Sequence, residues 1–174
     1  ARPTSAPALT PTPCDKCGRD RPQRPTATPT PSRAIGLNVG QQAPDFGLPT
    51  LQGPAARLGD YRGRVVLLNF WATWCGYCRL EMPTLAAALE RYGGRGFTVL
   101  AVNILEPRML VEAFARDYSM PFPVLLDGEG IVGRLYRIRL YPTTFVIDRE
   151  GVVRHVHPGL LDEPTLRTLV EPLL

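Results

Sequence analysis

The sequence predicts an α/β fold with a mixed central sheet flanked by helices. Two patterns carry this expectation. Early apolar strands alternate with helical segments, and the chain closes with a β-hairpin and a last helix. A third observation fixes the centre of the molecule. The apolar run Val65-Val66-Leu67-Leu68-Asn69-Phe70 leads into Trp74-Cys75-Gly76-Tyr77-Cys78, and helical periodicity begins there.

The elements follow in order. The segment Val39-Gly40-Gln41-Gln42-Ala43-Pro44-Asp45-Phe46 opens the folded part, and Gly53-Pro54 reads as a turn. Residues 65–70 form a strand. The helix after Cys75 runs to about Tyr92, with Leu85, Leu89 and Tyr92 at helical spacing and Gly93-Gly94 stopping it. Pro83 inside this helix removes one backbone hydrogen bond and should kink it. A second buried strand covers 97–103. Residues 108–118 read as an amphipathic helix with Leu110, Phe114 and Tyr118 on its inner face. A short strand at 122–126 and a short helix at 130–136 come next. Residues 144–148 and 152–157 make a hairpin turned by Arg149-Glu150-Gly151. Leu166, Leu169 and Val170 mark the closing helix. No internal repeat is visible.

Residues 1–34 have a different character. They hold eight prolines and six threonines, and Leu9 is their only aliphatic residue larger than Ala. Such a stretch cannot bury enough apolar surface to offset chain entropy, so it reads as an extended tether ahead of one domain at 35–174. The net charge of +4 lies entirely in this tail, which carries six Lys/Arg against two Asp. Residues 35–174 carry fourteen basic and fourteen acidic residues. A neutral folded part argues against a nucleic-acid-binding domain, which would present a basic face. The basic tail could rest on an anionic membrane, but a solvated linker is the simpler reading. Nineteen of the twenty cations are Arg, a bias of composition more than of function. No apolar run is long enough to span a membrane. The chain begins at Ala rather than Met and shows no signal peptide, so a signal peptide or membrane anchor upstream of residue 1 is expected.

The chemistry centres on Cys75 and Cys78. A helix N-terminus offers unpaired N–H groups and the positive end of the helix dipole. Both favour a thiolate at Cys75, whose pKa should fall below the free value of about 8.5. Two intervening residues let Cys78 reach back and close a small disulfide, so the pair can accept or give two electrons. The competing reading is half of a zinc site. A second pair exists, Cys14 and Cys17, but 57 residues separate Cys17 from Cys75, a poor match to a compact zinc ribbon. Cys14-Asp15-Lys16-Cys17-Gly18 could be one zinc knuckle or a simple disulfide in the tether, and in either case no catalytic role is expected of it. His155 and His157 alternate on a strand, and two histidines without a third ligand do not make a metal site. Arg, not His, follows Cys78, and Gly follows Cys17, so neither pair is a haem attachment site.

These motifs resemble the thioredoxin superfamily, in its TlpA/ResA-like, AhpC/TSA-type branch of extracytoplasmic thiol–disulfide oxidoreductases. The resemblance rests on Val39-Gly40-x-x-Ala43-Pro44-Asp45-Phe46 and on Gly63-x-Val65-Val66-Leu67-Leu68-Asn69-Phe70-Trp71-Ala72-Thr73-Trp74-Cys75-x-x-Cys78. Glu81-x-Pro83, Val102-Asn103, Phe122-Pro123-Val124, Tyr141-Pro142-Thr143-Thr144-Phe145 and Asp148-x-x-Gly151 continue it. It covers about 38–174 and nothing of the tail. It implies a thioredoxin fold with an N-terminal extension and a strand–helix insertion at about 103–127. It also implies that Cys75 is the exposed nucleophile and Cys78 the resolving thiol, with no cofactor. Pro142 would be a cis-proline facing the dithiol rather than an ordinary trans turn proline. With Trp74, Gly76, Tyr77 and Tyr141 it would bind an extended substrate chain. Trp71 reads as core packing.

Two departures matter. Cytosolic thioredoxins carry a buried Asp where this chain has Asn69, which cannot accept a proton. Glu81, three residues after Cys78, is the substitute expected to handle the proton on Cys78, in preference to being a solvent-exposed helix residue. Gly76-Tyr77 resembles the intervening pair of periplasmic disulfide isomerases, and many reducing members have Pro just before the second cysteine. The implied function is disulfide reduction on protein partners outside the bacterial cytoplasm, often on apocytochrome c before haem attachment. Electrons would come from a membrane or soluble thiol donor, and the protein would act as a monomer. An oxidant or isomerase is the alternative. A peroxidase of the peroxiredoxin type fits poorly, because Ala72 stands where that chemistry needs Thr. A binding domain with a structural disulfide fits poorly too, given Trp-Cys-x-x-Cys at a helix start and the candidate cis-proline expected to face it.

Overall fold

The computed structural model describes residues 33–174. Cys14, Cys17 and the tether reading lie outside the described residues, apart from Arg33 and Ala34.

Two short strands, β1 (Gly47–Leu48) and β2 (Ala56–Arg57), pair antiparallel ahead of the main sheet. Then come β3 (Val65–Trp71), α1 (Gly76–Tyr92), β4 (Phe97–Ile104), α2 (Arg108–Asp117) and β5 (Val124–Asp127). A short helix α3 (Ile131–Leu135), strands β6 (Thr143–Ile147) and β7 (Val153–Pro158) and helix α4 (Glu163–Val170) complete the chain. The sheet order is β5-β4-β3-β6-β7. β3 runs parallel to β4, and β4 to β5, while β6 is antiparallel to both β3 and β7. This is the mixed sheet of a thioredoxin fold, and α2 with β5 forms the inserted strand–helix element.

Every residue of β3 and β4 is buried. That is why both strands are nearly continuous apolar runs: helices and loops cover both faces of the sheet. Val65, Leu67 and Trp71 pack with Met82, Leu85 and Tyr92 of α1, Val111 and Phe114 of α2, and Leu166 and Val170 of α4. The alternate residues Val66, Leu68 and Phe70 pack with Val132, Tyr136 and the N-terminal segment around Phe46. That segment is tied down where Tyr136 Oη donates to the Pro44 carbonyl at 2.7 Å. Residues 49–51 cover the outer edge of β5, with Leu51 N–H donating to Val124 O and Leu126 N–H to Pro49 O. Among the described residues, no helix is long and apolar enough to cross a membrane.

Several expectations are corrected in detail. The inner face of α2 carries Val111 and Phe114; Leu110 is half exposed, and Tyr118 reaches the core only by stacking on Phe114 at 4.2 Å. Residues three apart share the inward face here, and a strict spacing of four drifts off it. β5 begins at Val124 instead of Phe122, because Pro123 has no N–H to give to the ladder. β1 and β2 are too short to leave a periodic signal. α1 runs through Pro83, which is exposed on its outer side.

Candidate functional site

β3 ends at Trp71, and after three intervening residues the chain reaches the cap of α1. Cys75 is the N-cap of α1, with extended backbone (φ −79°, ψ 112°), and its Sγ accepts the Cys78 N–H at 3.1 Å. One unpaired donor of the helix start is thus spent on the sulfur, in the geometry that stabilises a thiolate once the pair is reduced. In this structure the two cysteines are joined as a disulfide, with their Cα atoms 5.2 Å apart. The resemblance implies an exposed Cys75, but the residue is only 5% exposed, because its sulfur is bonded back to the fully buried Cys78. The neighbours are open instead: Trp74 is 66% and Tyr77 62% exposed. A side chain at Gly76 would meet nothing within 4 Å, so glycine there answers no packing demand and keeps the surface beside the disulfide low.

Tyr141-Pro142 is a cis peptide bond, as the resemblance implies. Tyr141 stands edge-on to Trp74, with ring centroids 5.6 Å apart. This contact brings the loop before β6 to the loop before α1, and so sets Pro142 on the dithiol side of the sheet. The phenol of Tyr141 is pushed above its ordinary pKa, chiefly by burial and further by the negative charges of Asp127 and Glu106.

Glu81 is not a surface residue. It is fully buried, one turn beyond Cys78 on α1. Its Oε1 accepts from Asn69 Nδ2 at 2.7 Å, and its Oε2 accepts from Leu161 N–H at 3.3 Å. Burial pushes its carboxyl up to about 7, against the opposing pull of these two hydrogen bonds. Asn69 also donates to Thr144 Oγ1 at 3.0 Å, and its own Oδ1 is buried without a partner. Asn69 therefore does not replace the acid of cytosolic thioredoxins; it hydrogen-bonds and orients the buried carboxyl of Glu81. Thr144 and the backbone of Leu161 were not visible as site residues in the sequence. Thr144 is one of two adjacent threonines in a strand, and Leu161 contributes only a backbone N–H.

No group of three or more His, Cys, Asp or Glu residues able to hold a metal occurs among the described residues. His155 and His157 lie on β7, where His157 Nε2 pairs with the Leu160 carbonyl at 3.1 Å. The assembled site is therefore a dithiol at a helix start, flanked by an exposed aromatic pair and backed by a buried carboxyl group. Such a site can exchange two electrons with another disulfide.

Comparison with known proteins gives the same answer. The AhpC/TSA family model matches residues 39–156. The chain is 42% identical over 132 residues to the thioredoxin-like protein YneN of Bacillus subtilis (strain 168), covering 74% of this chain and 76% of that protein. It is 40% identical over 135 residues to the thiol-disulfide oxidoreductase ResA of Geobacillus kaustophilus, covering 78% of each. Among solved structures it resembles a DsbE-like thiol:disulfide interchange protein from Chlorobium tepidum, with a TM-score of 0.76 and 36% identity, over 79% of this chain and 99% of that one. A dithiol in this setting and relatives of this closeness place the chain in the AhpC/TSA family, as a protein-disulfide oxidoreductase of the TlpA/ResA-like branch of the thioredoxin superfamily.

Proposed function

We propose that this oxidoreductase is a reductant of protein disulfides outside the cytoplasm of a bacterium, with apocytochrome c before haem attachment among its substrates. The observation that carries the direction is Glu81. A buried carboxylate next to the dithiol disfavours thiolate on either sulfur once it is charged. Strong oxidants work the other way, by stabilising the reduced thiolate form. The relatives named ResA, a thiol-disulfide oxidoreductase, support the setting.

In the reaction the reduced Cys75 thiolate attacks one sulfur of a substrate disulfide. The substrate S–S bond breaks, its distal sulfur leaves as a thiolate, and a mixed disulfide forms at Cys75. Glu81 takes the proton of Cys78, whose sulfur then attacks Cys75 Sγ. The mixed disulfide breaks, the second substrate thiolate leaves, and the Cys75–Cys78 disulfide remains. Two electrons have passed to the substrate, and a thiol donor, membrane-bound or soluble, restores the dithiol by the same exchange. Trp74, Gly76, Tyr77, Tyr141 and Pro142 form the surface against which the substrate chain lies.

Cys75→Ser should abolish disulfide exchange, and full turnover in that variant would remove the dithiol from the mechanism. The direction is tested by the reduction potential of the Cys75–Cys78 couple. A value near that of thioredoxin, about −270 mV, fits a reductant. A value near that of DsbA, about −120 mV, would overturn this reading in favour of an oxidant or isomerase, the alternative that Gly76-Tyr77 between the cysteines favours.

A further inference from the structure

The loop between β3 and α1 carries Trp74 and leads directly into Cys75, yet it has no ladder of its own to hold it. Its fixing point is Thr73. The Thr73 N–H donates to Glu106 Oε2 at 2.7 Å, and the Thr73 hydroxyl donates to Glu106 Oε1 at 2.5 Å. The third polar group of the residue, its carbonyl, accepts from Arg79 Nε at 2.9 Å. Glu106 is itself held by Asn103, whose Nδ2 donates to Oε2 at 2.7 Å from the end of β4. One carboxylate therefore grips both hydrogen-bond donors of Thr73 and is braced from the neighbouring strand.

The backbone beside it is shaped for this. Leu105, the residue before Glu106, has φ +58°, a conformation that L side chains other than Asn and Asp seldom adopt. Its N–H donates to Asp127 O at 3.0 Å, which pins the bend to the end of β5. Gly130 gives the Leu105 side chain its room: a Cβ at 130 would lie 2.9 Å from Leu105 Cδ2. The bend turns the chain off β4 so that Glu106 faces Thr73 rather than following the strand outward.

From this geometry we infer that Glu106 is a positioning residue for protein substrates: it clamps Thr73 and so holds Trp74 against Tyr141 as a fixed docking face beside the dithiol. The clamp acts on the platform, since Glu106 hydrogen-bonds to Thr73 and Asn103 and to neither cysteine. Its loss should therefore harm large substrates that must lie across Trp74 and Tyr141, and spare a small disulfide that needs only the sulfur of Cys75. The inference rests on the dithiol being the reacting group.

The test uses the full chain, reduced, with Cys14 and Cys17 replaced by Ser in every protein compared so that one dithiol reports. Rates of disulfide reduction are measured with insulin and with glutathione disulfide. In Glu106→Ala the insulin rate should fall about tenfold or more, the size expected when a positioning contact is lost, while the glutathione disulfide rate stays within about twofold. Glu106→Gln removes the charge but keeps the grip, because an amide oxygen can still accept from Thr73 N–H and Asn103, and the amide NH₂ can donate to the Thr73 hydroxyl. It should restore the insulin rate to near that of the parent. Thr73→Val, which removes one arm and leaves the carboxylate in place, should give a smaller loss with insulin alone, so the test stands even if Glu106→Ala folds poorly. Equal losses with both disulfides, or an unchanged insulin rate in Glu106→Ala, would overturn the clamp. A parent protein inert toward both disulfides would instead overturn the dithiol mechanism itself.

Discussion

Glu81 combines two properties that oppose each other. Its carboxyl group has no solvent exposure, and its two hydrogen bonds favour the charged form, yet burial wins and raises the pKa from 4.5 to about 7. The consequence for stability has a definite sign. The folded state holds this proton more tightly than the unfolded state, so the stabilisation is complete below pH 4.5 and is lost as pH rises to about 7. A shift of this size corresponds to about 3 kcal/mol between the two ends of the window. Glu81→Gln should flatten that loss, and unfolding midpoints of both forms at pH 4.5 and pH 8 measure it as a difference, so that other titrating groups cancel. On the proposed mechanism the same variant lacks the proton acceptor for Cys78. Alkylation of the reduced thiols against pH should show the change, with a Cys78 profile displaced from that of the parent and slower resolution of the mixed disulfide. Superimposable profiles with unchanged turnover would reduce Glu81 to a packing residue. The sequence offered Glu81 through its spacing from Cys78, but not its burial. Its hydrogen-bond partners, the backbone at Leu161 and Asn69, lie 80 and 12 residues away along the chain. The same holds for Glu106, whose main partner Thr73 is 33 residues away.

At the scale of elements, the hairpin of β6 and β7 depends on one side chain. Asp148 Oδ1 accepts from Glu150 N–H at 3.0 Å and Val152 N–H at 2.8 Å, and Oδ2 accepts from Arg154 Nε at 2.5 Å. Asp148 is only 5% exposed, so Asp148→Ala would strand buried donors and should cost about 2–3 kcal/mol in chemical denaturation. Asp148→Asn keeps an oxygen for the backbone donors and should lose less. Neither should move the reduction potential. The register pairs Phe70 with Thr143 and Val66 with Ile147, which puts Asp148 at the end of β6 away from Cys75. The elements that read most clearly in the sequence were those with a single strong cause. β3 and β4 are apolar throughout because both faces are covered, α1 has a redox pair at its cap and Gly-Gly after it, and the hairpin has its Asp and Gly at the turn. β1 and β2 gave no signal, since two paired residues have no period. The inward face of α2 was misread by one residue because its hydrophobic side is wide, and only the position of the sheet decides which residues fill the core.

At the scale of the whole molecule, the direction of electron flow and the folding stability are one quantity seen twice. The folded chain and its unfolded form each have a Cys75–Cys78 potential, and the difference between them equals the difference in stability between the oxidised and reduced protein. For this two-electron couple, 30 mV corresponds to about 1.4 kcal/mol. An oxidant gains stability when it is reduced; a reductant loses it. Here reduction leaves two thiols at the start of the helix that carries buried Glu81 one turn beyond Cys78, and Cys78 has no exposure through which water could solvate a thiolate. Only Cys75 has a local donor, the Cys78 N–H at the cap of α1. The desolvation of Cys78 and the charge on Glu81 both weigh against the reduced state, and their effect should grow as Glu81 loses its proton above about pH 7. The oxidised protein should therefore unfold at a higher denaturant concentration than the reduced one at pH 8, with the gap narrowing at pH 5. Paired denaturation curves, oxidised and reduced, at both pH values measure this, with Cys14 and Cys17 replaced by Ser to leave a single couple. A reduced form that outlasts the oxidised one at both pH values would mean that the fold stabilises the dithiol, and the protein would then be an oxidant.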